Sequence, residues 1–242
     1  MRTAGIIGYG HFGVFAHELF KRFAPDIRVA VFSSRHAPDG ETFFSLGDVM
    51  KSDAVFLCVP IAVYEETIKR VVPLMGAETI LVDIATVKLH TAELLRRLAA
   101  GKRYVAMHPM FGPESYAKRG HDVTGLRVIV CEHTLPAEEY ATYRDALKKC
   151  GFEVVEMTAD RHDKHLAETL FLTHFVGQVI IKTGFERTEI DTVSFGYLMD
   201  AVESVKNDEA LFRDVFQFNP YCKNVLDAFE GGEHDVRRML EK

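Results

Sequence analysis

The chain has 242 residues, 48% of them hydrophobic, enough for one two-part globular protein or two small domains. Its net charge of −6, with no long basic run, argues against a nucleic-acid or anionic-membrane binder. No apolar run approaches the ~18 residues of a membrane span. Cys58, Cys131, Cys150 and Cys222 stand far apart and read as small buried hydrophobes in a reducing cytosol, not as a disulfide frame. The first strand begins almost at Met1, so no signal peptide is expected and the cytoplasm is the expected compartment.

Thr3 to Gly8 reads as a short apolar strand that runs into Gly8-Tyr-Gly10-His11-Phe12-Gly13. A helix follows, with Phe12, Phe15, Leu19 and Phe23 at helical spacing and Pro25 as its stop. Each glycine in such a loop has a separate task. Gly8 permits the tight turn, Gly10 lets backbone approach a pyrophosphate, and Gly13 lets helix and strand pack closely. The helix amino terminus then offers free N–H groups to phosphates. A strand, this loop and a helix at the head of an alternating chain predict dinucleotide binding, with His11 and Phe12 lining the loop.

The second strand is Arg28 to Phe32. An NAD-selective site places Asp or Glu about 20 residues past the glycines, on the ribose 2′-hydroxyl. Here the chain reads Ser33-Ser34-Arg35-His36. Hydroxyls and a guanidinium suit a 2′-phosphate, so NADP is expected over NAD.

The alternation continues with a strand over Ala54–Val59 and a helix over Ile61–Met75. Thr79–Asp83 is the next strand and Val87–Ala100 the next helix. Cys58, Val59 and Pro60, like Ala85 and Thr86, follow strand ends and are expected to border the cofactor. The hydroxyl of Thr86 suits either a hydrogen bond to a nearby histidine or substrate, or a cap for the helix from Val87. A strand over Tyr104–Met107 then enters His108-Pro-Met-Phe-Gly-Pro-Glu-Ser115. Pro109, Gly112 and Pro113 disfavour regular structure there, so His108 is expected where a strand gives way to a loop. Its pKa near ~6.5 suits proton transfer; a turn-capping role is the alternative. Arg127–Cys131, a helix near Ala137–Lys149 and Phe152–Glu156 complete a mainly parallel sheet of Rossmann type.

After Glu156 the strand pattern stops. The chain is therefore expected to be α/β: a dinucleotide-binding domain over residues 1–157, then a smaller all-helical domain over residues 158–242. A long helix opens at Asp160-Arg-His162-Asp163, with Asp160 as candidate cap, and ends at Gly184. Asp163, Ala167, Leu170, His174, Gly177 and Ile181 fall on one face. His162 and His165 read as solvated or capping residues and His174 as a core residue. His165 and His174 lie on opposite sides of the helix, so no metal site is expected. Helices over Thr192–Val205 and Asp208–Phe218 follow. A last one starts at Asn219-Pro220 and is broken at Gly231-Gly232. The apolar content of so small a unit predicts a homodimer through these helices.

The segment His108 to Ser115 resembles the substrate-site loop of the prephenate and arogenate dehydrogenases of tyrosine biosynthesis. Gly8 to Gly13 resembles that family's cofactor loop, and Asp83-Ile-Ala-Thr-Val-Lys88 its Asp-x-x-Ser-Val-Lys turn. Val155-Glu-Met-Thr, His162-Asp163 and Thr173-His174 resemble the start of its helical domain, while Ser34-Arg35 and Phe218-Asn-Pro220 resemble features of the plant-type arogenate enzymes. The resemblance implies a small-molecule substrate, a cyclohexadiene with a ring hydroxyl and a carboxylated quaternary carbon. It makes His108 the base and Thr86 a hydroxyl that orients either His108 or the substrate hydroxyl, and places Ser115 and His174 on the substrate side. Many members carry an arginine on a C-terminal helix for a substrate carboxylate. Here Ser194-Phe-Gly-Tyr197-Leu stands instead, and Lys118, Arg119, Arg187 and Arg213 are the candidates. Two other readings fit the glycine loop: another dehydrogenase or imine reductase of this architecture, and a non-catalytic NADP-binding sensor.

Overall fold

The computed structural model describes residues 1–241. The seven strands are β1 (Thr3–Ile7), β2 (Arg28–Phe32), β3 (Ala54–Leu57), β4 (Ile80–Asp83), β5 (Arg103–Pro109), β6 (Arg127–His133) and β7 (Glu153–Glu156). They form one sheet in the order β2-β1-β3-β4-β5-β6-β7. All neighbours are parallel except β5 and β6. The first five strands therefore end on one edge of the sheet, and the last two run back.

Burial explains the composition of these strands. β3 is buried at every position, and β4 at all but its first. Both faces of a parallel sheet are covered by helices, so its central strands read as continuous apolar runs. The edge strand β2 exposes its first residue and the edge strand β7 both of its ends. Their neighbours along the chain are α1 (His11–Phe23), α2 (Leu46–Val49), α3 (Tyr64–Val71), α4 (Lys88–Leu98), α5 (Pro113–Lys118) and α6 (Ala137–Lys149). β1 lies between β2 and β3, so the chain leaves it one way and returns the other. That reversal is the switch point at which open α/β sheets bind ligands, and the glycine loop sits there.

β5 outruns its sequence pattern. It continues through His108 and Pro109 and pairs antiparallel with β6, with a register shift between Ala106 and Met107. His108 is thus a strand residue opposite Ile129. Pro109, which has no N–H to give, is tolerated at the strand's last position.

The chain divides into two compact units, Met1–His162 and Asp163 onward. The helix that crosses this boundary begins as α7 (Ala159–Leu166), widens into a π-helical segment over Ala167–Phe171 and resumes as α8 (Leu172–Thr183). Its cap is Thr158, whose Oγ1 accepts from Arg161 N–H at 3.2 Å, not Asp160. The π segment shifts the helix's phase. Phe171, not Leu170, joins Asp163, Ala167, His174 and Gly177 in the buried stripe, and Ile181 is exposed. Gly184 ends α8 in the left-handed conformation, φ +74°.

The second unit continues with α9 (Val193–Val205), α10 (Glu209–Phe218) and α11 (Cys222–Leu240). A Cβ on Gly177 would lie 2.5 Å from a Val205 methyl, so glycine sets the close approach of α8 and α9. Phe171 stacks on Phe212 at 5.2 Å and on Phe216 at 5.9 Å. Asn219 does not cap α11 directly. Its amide donates to Asp163 O at 2.8 Å and its Oδ1 accepts from Tyr221 N–H, one turn before the helix proper. α11 also runs straight through Gly231 and Gly232. Two mid-helix glycines cost about 1 kcal/mol each relative to alanine, but ion pairs of Glu233 with Arg237 and Asp235 with Arg238 support the turns beyond them. No helix of the described residues is long and apolar enough to cross a membrane.

Candidate active site at the ends of β1 and β5

The glycine loop has the geometry of a phosphate cradle. Gly8 holds φ +98°, and a Cβ there would fall 2.3 Å from Cys58 O. A Cβ on Gly13 would fall 2.2 Å from Gly8 O. A side chain at Gly8 would strike the Cys58 backbone beyond β3, and one at Gly13 would push α1 off the end of β1. Gly10 differs, because a Cβ there meets nothing within 4 Å. It is the N-cap of α1 and makes no side-chain cap bond. The N–H groups of His11, Phe12 and Gly13 have no backbone partner among the described residues. They lie at the positive end of the helix, which is the chemistry a pyrophosphate requires. The residues therefore fit a dinucleotide. His11 is exposed and lies 3.2 Å from Glu114 of α5, while Phe12 turns inward against Phe15.

The turn after β2 separates the three polar residues proposed from sequence. Ser33 is buried, and its Oγ accepts from Arg35 N–H at 3.2 Å and lies 3.1 Å from His36 Nδ1. That hydroxyl builds the turn. Ser34 and Arg35 are exposed, and the Arg35 guanidinium reaches back to Tyr9 O in the glycine loop at 3.4 Å. His36 stacks on Phe43 at 4.3 Å, and Tyr9 meets both rings edge-on. Beyond β3, Cys58 N–H donates to Ile7 O at 2.8 Å. Burial pushes its thiol up to about 12, so it is a packing group. Val59 is half-buried beside it and Pro60 is exposed.

The most constrained part of this unit is the end of β4. Asp83 and Lys88 are both fully enclosed, with side chains 0% exposed and a 2.6 Å contact between Oδ2 and Nζ. Asp83 also accepts from Ala85 N–H at 2.8 Å and the Thr91 hydroxyl at 2.6 Å. Lys88 has a second acceptor, the carbonyl of Met107 at 2.8 Å. It thus ties β4 and α4 to the residue before His108. α4 begins at Lys88 with Val87 as N-cap and no side-chain cap bond, so Thr86 does not cap it. Thr86 is half-buried, and among the described residues no hydrogen bond joins it to His108.

His108 is 5% exposed. Its Nδ1 lies 2.9 Å from Nε2 of His162, itself 3% exposed. From the sequence, His162 reads as a solvated or capping residue. Its helical phase gave no warning, since the strand that covers it is distant in the chain. Burial first, then the charges of His162 and Lys88, hold the His108 imidazole well below the ordinary histidine value. It is therefore neutral at pH 7 and able to accept a proton. Phe111 and Tyr116, from the loop that follows, both pack on Phe15 of α1. The histidine loop and the nucleotide helix thus share one core. Ser115 is exposed on α5.

His174 belongs to the second unit. It is 5% exposed, lies parallel to Phe212, and its Nδ1 is buried without a partner; burial lowers its pKa. Of the four basic candidates, Arg187 is held by Asp191, Asp200 and Glu203, and Arg213 by Glu209. Arg119 donates to Thr124 O, and Lys118 makes no ion pair among the described residues. No group of His, Cys, Asp or Glu among the described residues could hold a metal ion.

A switch-point glycine loop and a buried neutral histidine on the same sheet edge define a Rossmann-type nucleotide-binding dehydrogenase architecture. Residues 41–156 match the family model described as prephenate dehydrogenase, nucleotide-binding domain. The chain is 28% identical over 250 residues to arogenate dehydrogenase 2, chloroplastic, of Arabidopsis thaliana, covering 97% of this chain and 69% of that protein. It is 28% identical over 248 residues to cyclohexadienyl dehydrogenase of Zymomonas mobilis, covering 93% and 83%. The chain is thus similar to prephenate and arogenate dehydrogenases, and the family match lies in its nucleotide-binding part. The crystal structure of prephenate dehydrogenase from A. aeolicus, in complex with hydroxyphenyl propionate and NAD+, shares the fold over 100% of this chain and 90% of that one, at TM-score 0.74 and 20% identity.

Replacing Lys88 with Met leaves the Asp83 carboxylate buried without its cation. Urea unfolding should show a loss of about 3–5 kcal/mol. The double variant with Asp83→Asn should recover part of it, and a loss under about 1 kcal/mol for the single change would show the pair to be dispensable.

Proposed function

We propose that the chain catalyses NADP-dependent oxidative decarboxylation of a cyclohexadienyl substrate, prephenate or arogenate. The observation that carries this reading is His108: a buried, neutral imidazole at the end of β5, tied through Met107 O to an enclosed ion pair, on the sheet edge that carries the glycine loop. A base for a hydroxyl proton must be unprotonated at working pH and fixed within reach, and both features support the role.

When bound, the nicotinamide accepts the hydride. His108 takes up the proton of the ring hydroxyl as hydride leaves the same carbon. The carboxylate on the quaternary carbon departs as carbon dioxide and the ring becomes aromatic. The first turn of α1 and the loop from Gly8 to Gly13 hold the pyrophosphate. Cys58, Val59 and Pro60 form the wall beyond β3, and Thr86 borders the nicotinamide side. Ser115 contacts substrate. Lys118, unpaired and one turn from Ser115 on α5, suits a substrate carboxylate better than Arg187 or Arg213, whose charges are already met. The A. aeolicus enzyme's NAD+ supports a nicotinamide cofactor, and the exposed Ser34 and Arg35 support the 2′-phosphorylated form.

The second unit exposes Phe185, Ile190, Val193 and Tyr197 at 66–84%. Apolar side chains gathered in one short stretch mark an interaction surface, and a second copy of the chain is the proposed occupant.

Assayed for nucleotide reduction with prephenate and with arogenate, the wild type should turn over, and His108→Asn should lose about 10²–10⁴-fold in kcat while still binding NADP. Absence of turnover with both substrates, despite tight NADP binding, would favour the sensor reading. Arg35→Ala should raise the Kd for NADP about tenfold to a hundredfold, the loss of one charge-assisted contact, and leave NAD unaffected. Equal effects on both nucleotides would remove the basis for NADP selectivity. Sedimentation at micromolar concentration should give twice the chain mass; a monomer would overturn the dimer.

A further inference from the structure

We propose that His162 is a positioning residue for the base: by accepting a hydrogen bond from His108 Nδ1–H, it fixes the tautomer that leaves His108 Nε2 free to take the substrate proton. The inference rests on His108 as the base and adds what makes it one.

The argument starts from counting protons. Two imidazole nitrogens 2.9 Å apart, His108 Nδ1 and His162 Nε2, share one hydrogen between them. A neutral imidazole carries its proton on one nitrogen only. If His162 donated, His108 would carry its proton on Nε2 and could accept nothing there. If His108 donates, its proton sits on Nδ1, inside the pair, and Nε2 keeps its lone pair. Nε2 has no hydrogen-bond partner among the described residues, yet is not among the buried polar atoms sealed from solvent. It is the nitrogen available to a ligand. His162 Nε2 is then the acceptor of the pair.

The arrangement parallels a base oriented by a carboxylate, with one chemical difference. A carboxylate would raise the pKa of its partner by favouring imidazolium. An imidazole accepts the same hydrogen bond and acts on the His108 pKa in the opposite sense. The other charged group facing His108 is Lys88 of α4, matched by Asp83 of β4; from β6 the neighbour is Ile129. His162 and Lys88 both oppose protonation of the ring, and His162 is the partner of its Nδ1.

The test has two parts that separate this proposal from the one beneath it. In wild-type protein labelled with nitrogen-15 on histidine, long-range proton–nitrogen correlation spectra should show His108 protonated on Nδ1. Protonation on Nε2 overturns the proposal without any mutant. In the assay, His162→Phe should lose about 10²–10⁴-fold in kcat, the scale of a wrong tautomer, with NADP affinity retained. His162→Gln, which offers an acceptor oxygen near the position of Nε2, should restore at least a tenth of the rate. His162→Asp should raise the acidic limb of the kcat/KM profile by about one pH unit or more. Unchanged rate and profile in all three, with His108→Asn inactive, would overturn the positioning role and leave the base intact. An active His108→Asn would overturn both.

Discussion

An ammonium group with no water around it must be matched at every donor, and in this chain that requirement organises the nucleotide-binding unit. Lys88 is enclosed between β4, α4 and β5. Asp83 neutralises it, and the carbonyl of Met107 takes a second donor. A buried pair of this kind is weak evidence for stability, since desolvation offsets much of the attraction. Its effect is geometric. The register of β5 shifts between Ala106 and Met107, and the lysine grips the strand just beyond that shift. His108 follows immediately, so its ring is set by the strand, the bulge and the lysine together.

The two halves of the candidate site are joined through aromatic packing as well as through the sheet. Phe15 of the nucleotide helix touches Phe111 and Tyr116 of the histidine loop, and Phe111 stacks on Phe152. The Cβ clash at Gly13 fixes the same helix against the end of β1. A displacement of α1 large enough to open the phosphate cradle would therefore disturb the loop that follows His108. Coupling of this sort needs no moving part, because packed rings transmit small displacements.

Much of this was legible in the sequence, for reasons tied to periodicity. The strands of the sheet announce themselves as apolar runs bounded by turns, and the glycine spacing marks the switch point. What escaped was set by distant contacts. Nothing near His162 in the chain shows that β5 will cover it. Ser33 reads as a ligand to phosphate, yet its hydroxyl closes the turn onto Arg35 N–H. The break expected at Gly231-Gly232 does not occur, because glycine weakens a helix without forbidding it. Lys88 did carry a usable signal. A cation at the first position of a helix opposes the macrodipole, so a lysine there implies a compensating carboxylate, and Asp83 stands at the end of the preceding strand.

The π-helical segment over Ala167–Phe171 has a consequence for the length of the chain. One residue more than an α-helix needs amounts to about 100° of rotation about the axis. Everything after Phe171 is therefore aimed by that surplus: His174 toward Phe212, and Gly177 toward Val205. Deleting a single residue anywhere in the segment would yield a more regular helix and the wrong azimuth. Insertions and deletions here are thus not equivalent to those in a loop of the same size. The segment works as a phase setting, written in residue count and not in side-chain chemistry.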